Sequence, residues 1–150
     1  MTPRPLTVCL VGSIVLAISG PLPAQRFSVA GVDKDSEVVA FLTTLQAAVT
    51  RGDSGAVTAL MQYPLSVNDS AQHHSITTAT QFLKRYSHII TSSVRHAILV
   101  QRPESLFANW QGVMIGNGQV WFGRQCPKDR PVECERLSVY AINRDAPIVR

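Results

Sequence analysis

The chain has 150 residues, of which 45% are apolar and 16% charged, enough for one buried core and too few for two ordinary domains. Disordered, collagenous, coiled-coil and low-complexity classes are excluded by this balance and by only 9 Gly and 9 Pro. A net charge of +4 favours weak attraction to anionic surfaces but falls short of a nucleic-acid footprint, so nucleic acid is not an expected partner.

The N-terminus reads as a signal peptide. Arg4 supplies a positive start, and the apolar run from Leu6 to Ile18 is too short to span a bilayer. Helix-breaking Gly20, Pro21 and Pro23 follow, with cleavage expected after Ala24 and Gly20 as the fallback. Residues 1–24 would then depart and 25–150 would form a single domain, periplasmic or secreted, with no stable membrane anchor after cleavage. Export gives the cysteines a meaning. Cys9 leaves with the leader, and Cys126 with Cys134 is an even pair expected to form a disulfide around a nine-residue loop, contributing about 2–3 kcal/mol if unstrained. A redox Cys-x-x-Cys is absent, and the loop has too few ligands for a metal.

In the mature chain, Val38, Phe41, Leu42, Leu45, Ala48 and Val49 recur at helical spacing after an acidic start, and Gly52 follows. Asp53 can cap a second helix carrying Val57, Leu60 and Met61, which Pro64 is expected to stop. Arg51-Gly52-Asp53 therefore reads as a helix end and a cap, not an adhesion tripeptide. Leu65 to Asn68 suggests a short strand, Ile76 to Ile90 a helix using Ile76, Ala79, Phe82, Leu83 and Tyr86, and Val94 to Gln101 another helix.

From Leu106 to Asn143 the pattern turns β. Asn117-Gly118 between apolar runs predicts a two-residue hairpin turn with positive φ at both positions. That register pairs Ile115 with Val120, Met114 with Trp121 and Val113 with Phe122. One face then carries Val113, Ile115, Val120 and Phe122; the other carries Trp110, Met114 and Trp121, with Gly112 and Gly123 leaving a bare patch. Pairing the next strand through the disulfide sets Trp121 opposite Val139 and Val120 opposite Tyr140. Two apolar faces need two covers, and the helices can supply one. The other is expected to meet a small apolar ligand, a protein partner or a second copy, with Trp110, Met114, Trp121 and Tyr140 lining it.

This order of elements resembles the nuclear transport factor 2-like, or cystatin-like, superfamily, carried by Gly52-Asp53, the Ala56 to Met61 segment and the Gly116 to Phe122 hairpin. The resemblance implies an α+β fold in which N-terminal helices pack on a curved, cone-like antiparallel sheet around a pocket. It does not choose between enzymes and binders. Counting from the Gly-Asp turn, the general-base position of the ketosteroid isomerases in that superfamily falls on Asp69, but the phenol such a site needs is replaced by Leu45. Asn68-Asp69-Ser70 also reads as a solvated turn and, in a eukaryotic secretion pathway, as a glycosylation sequon.

No catalytic residue, metal or cofactor is expected. His73 and His74 are adjacent and point apart, and neither His88 nor His96 has the i, i+4 partner of a helical metal site. No nucleophile elbow occurs. The expectation is a noncatalytic exported binding domain. Its alternatives are an isomerase- or dehydratase-like enzyme using Asp69 with a helix histidine, His88 or His96, and an envelope inhibitor or immunity-type protein acting through the disulfide loop.

Overall fold

A computed structural model describes residues 25–124 and 136–147. Residues 1–24, Cys126, Cys134 and the loop between them lie outside the described residues, as do the leader and the disulfide expected there. The chain folds into helices on one face of a six-stranded mixed sheet. Helices α1 (Asp35–Thr50) and α2 (Ser54–Ala59) are followed by strands β1 (Met61–Asn68) and β2 (His73–Ile76). Three short helices come next: α3 (Ala79–Lys84), α4 (Tyr86–Ile89) and α5 (Ser92–Val100). Strands β3 (Phe107–Asn109), β4 (Gly112–Ile115), β5 (Val120–Gly123) and β6 (Ser138–Asn143) complete the fold. The sheet order is β2-β1-β6-β5-β4-β3, with β1 and β6 parallel and every other pair antiparallel.

Helix α1 forms as its periodicity predicts. All six apolar positions of its stripe are buried, and the Asp35 carboxylate near its start accepts from the backbone N–H groups of Arg26 and Phe27, each at 3.2 Å. Gly52 takes the left-handed conformation at φ 66°, and Asp53 caps α2 by accepting from Ala56 N at 2.9 Å. The helix layer meets the inner sheet face through Phe41, stacked on Phe122 with ring centroids 4.8 Å apart. Arg124 is ion-paired with Glu37, tying α1 to the end of β5. Val113, Ile115, Val120, Phe122, Val139 and Ile142 are all buried on this inner face.

Three local expectations are corrected. Pro64 does not stop α2, which ends at Ala59; it lies inside β1, where the register with β6 slips between Met61 and Ser66 and the missing N–H loses no ladder bond. Ile76 is not helical but ends β2 opposite Leu65. The helix expected to run on to Ile90 starts only at Ala79, where Thr78 accepts from Gln81 N at 3.2 Å, and breaks at Arg85. Of the expected buried set, Ile76 is buried from β2 and Phe82 from α3, the latter edge-on to Tyr63 and Tyr86, while Leu83 is 44% exposed.

The hairpin register is the one the Asn-Gly signal predicts, Ile115 opposite Val120 and Met114 opposite Trp121. The turn itself differs. Among the described residues no non-glycine residue has positive φ, so Gly116 (φ 67°) and Gly118 (φ 105°) supply the reversal, and the buried Gln119 side chain accepts from Asn117 N at 2.6 Å. The next pairing is corrected too: Val120 faces Ile142, Trp121 faces Ala141, and Phe122 faces Val139. Val139 and Ile142 both face the core although three positions apart, which a strand of period two cannot achieve; the irregularity opposite Trp121 and Phe122 absorbs the odd residue. That residue is Tyr140.

Candidate functional site

Paired positions share a face, so the register lays Phe107, Met114, Trp121, Ala141, Ser66 and Ser75 in one row across all six strands of the outer face. The first four make an apolar stripe and the last two a polar continuation. The bare patch expected at Gly112 and Gly123 is occupied: a Cβ on Gly112 would lie 2.6 Å from Tyr140 Oη, and one on Gly123 3.8 Å from Tyr140 Cε1. The Tyr140 ring therefore lies over both glycines, and its hydroxyl donates to the Gln111 carbonyl at 2.7 Å.

Met114, Trp121 and Tyr140 are thus gathered on one half-buried surface. Trp110 stands apart from the row, in the turn between β3 and β4 and 82% exposed. Phe107, which sequence reasoning missed, takes the place beside Met114 and is 50% exposed. Its signal was available in Asn109-Trp110-Gln111-Gly112, a second short reversal that folds Phe107 back onto Met114. The six strands contain no Asp, Glu, Lys or Arg at all. An antiparallel sheet face left in water ordinarily carries such residues.

Burial pushes the Tyr63 and Tyr140 hydroxyls up to about 12, and burial also raises Tyr86. With only 3 tyrosines in the chain, none keeps the ordinary value near 10. A raised phenol favours the neutral folded form, so this contribution to stability is complete below pH 10 and is lost as pH rises toward about 12. Absorbance titration of the native protein is expected to show most phenolate appearing above pH 11; a full tyrosine signal centred at pH 10 before unfolding would contradict it.

The ends of β1 and β6 are latched together. Asn68 Nδ2 donates to Asn143 Oδ1 at 2.8 Å, Arg144 N to the Asn68 carbonyl at 2.8 Å, and Ser70 N to the Asp145 carboxylate at 2.9 Å, which holds the Asp145 carboxyl below its usual range. Asp69 sits in this latch as a turn residue. Its Oδ1 accepts from Ala71 N and Gln72 N at 3.0 and 2.8 Å, and its Oδ2 meets Arg144 at 3.3 Å and His74 at 3.8 Å. His88 lines a pocket of about 230 Å³ together with His74 and Arg144, so the structure brings His88 to the neighbourhood of Asp69 through those two side chains. His96 is exposed on α5 and does not line that pocket. His73 faces the outer side, 2.6 Å from Asn68 Oδ1. No cluster of three metal-ligating side chains occurs among the described residues, and no helix among them is long and apolar enough to cross a membrane.

No family model, no curated protein and no solved structure matches the chain.

Proposed function

We propose that this protein is a noncatalytic, exported binding domain of the nuclear transport factor 2-like kind, and that its outer sheet face docks a second copy of the chain. One observation carries the reading: an apolar stripe of Phe107, Met114, Trp121 and Ala141, bordered by Tyr140, on a sheet whose strands hold no Asp, Glu, Lys or Arg. At about 4.8 Å between strands the stripe is about 14 Å wide. Without residues 1–24, and so without Arg4, the domain keeps 13 Lys and Arg against 10 Asp and Glu and is net positive, so two copies repel least through a largely apolar surface without Asp, Glu, Lys or Arg, which suits self-association better than capture of an acidic partner. A two-fold arrangement sets stripe against stripe, with the Ser66 and Ser75 ends at the wet rim. Asp69 is read here as a structural carboxylate, since both oxygens already serve the turn, Arg144 and His74.

Sedimentation velocity of the wild-type protein is expected to show a concentration-dependent dimer. Trp121→Glu buries a charge at the centre of the stripe and is expected to weaken association by about 30-fold or more, the effect of losing a hot-spot residue. Phe107→Glu, on a half-exposed edge-strand side chain, gives the same test with little risk to the fold. A wild type that stays monomeric at high micromolar concentration overturns the proposal, as does association unchanged by both variants.

A further inference from the structure

The same sheet has a cleft on its inner side, at the end far from β3. It lies between the β1–β2 pair and α4, has a volume of about 230 Å³, and is lined by Val67, Ile76 and Ile89 below and by Arg85, His88, His74 and Arg144 around the mouth. The three aliphatic side chains are buried. The rim is lopsided in charge. Asp69 is the one carboxylate paired with any rim group among the described residues, and it is shared between His74 and Arg144. Arg85 makes no ion pair among the described residues, and the Arg144 Nε is buried without a hydrogen-bond partner there. A buried guanidinium donor left unmatched beside an apolar pocket is costly unless an acceptor completes it.

We infer that this cleft binds a small organic acid, with its aliphatic or aryl body on Val67, Ile76 and Ile89 and its carboxylate between Arg144 and Arg85. Guanidinium groups suit this role because they offer planar, charge-assisted donor pairs to a carboxylate. The volume lies below the roughly 300–1,000 Å³ of drug-sized sites, which limits the ligand to about the size of hexanoate or benzoate. An inorganic anion would satisfy the rim but leave the aliphatic floor wet, and an alcohol would cover the floor but offer the guanidinium groups one neutral acceptor in place of a charged pair. The inference is independent of the outer face, because no residue of the stripe lines the cleft.

The test is an amide chemical-shift titration of the intact protein with hexanoate, hexan-1-ol, acetate and inorganic phosphate. Hexanoate is expected to bind at least tenfold more tightly than any of the other three and to shift the Val67, Ile76 and Ile89 amides. Arg85→Gln and Arg144→Gln are each expected to weaken hexanoate tenfold or more, the loss of one hydrogen bond to a charged group. Arg85 is exposed and unpaired, so Arg85→Gln reads the site even where Arg144→Gln disturbs the β1–β6 latch. Hexan-1-ol or phosphate binding as well as hexanoate, no shifts with millimolar hexanoate, or unchanged affinity in Arg85→Gln overturns the inference.

Discussion

Phe122→Ala is expected to destabilise the protein by about 3–5 kcal/mol, the range for removing a fully enclosed aromatic ring. Phe122 is fully buried, stacked on Phe41 and flanked in the sheet by Val113 and Val139. The void would be hard to close. Helix α1 is held at its first turn by the Asp35 contacts and by the Glu37–Arg124 pair, so it cannot simply settle onto the sheet. Against a total stability of about 5–15 kcal/mol this is a large fraction, and it reads out as a lower denaturation midpoint at unchanged m-value. A loss under about 1 kcal/mol would mean that the helix layer and sheet do not share this contact.

The second large effect falls on the outer face. Gly112→Ala introduces a Cβ 2.6 Å from Tyr140 Oη and 2.7 Å from the Phe122 carbonyl oxygen, at a φ of 149°. The conformation alone costs about 1–3 kcal/mol for a residue with a side chain. The Tyr140 ring must also leave its place over the two glycines, breaking its bond to the Gln111 carbonyl. Gly118→Ala is the control. It has positive φ as well, but its nearest neighbours are 3.9 Å away, so it carries the conformational cost without a clash. Denaturant unfolding is expected to rank Gly112→Ala clearly below Gly118→Ala in stability. Combining Gly112→Ala with Tyr140→Ala should recover only part of the loss, since the carbonyl clash remains. Equal losses for the two glycine variants would remove Tyr140 from the outer face.

What could be read from the residues alone was whatever depends on neighbours in the chain. The α1 stripe from Val38 to Val49 repeats every three or four positions, and Asn117-Gly118 fixes the β4–β5 register locally, so both were legible. Strand β2 was not: His73-His74-Ser75-Ile76 is short and polar, without the β-branched alternation that announces a strand, and it is held by pairing to β1. The displacement of Tyr140 was equally hidden, because it is set by the need to bury both Val139 and Ile142 against residues far away in sequence. Of the expected aromatic surface, Met114, Trp121 and Tyr140 come together while Trp110 remains in the turn, since one residue beyond the β3–β4 pairing frees a side chain from the face. The inner cleft draws on positions from Val67 to Arg144 and offers no local pattern to find.

A neighbouring copy that covers the outer face, as proposed, must shield Trp121, which therefore reports on the contact directly. The chain has 2 tryptophans, so Trp110→Phe leaves Trp121 as the single emitter. Diluting this variant from high micromolar to low nanomolar concentration is expected to shift its emission to the red and to raise acrylamide quenching as the stripe becomes wet. Emission and quenching that stay constant across that range in the folded protein would show that no second copy covers Trp121.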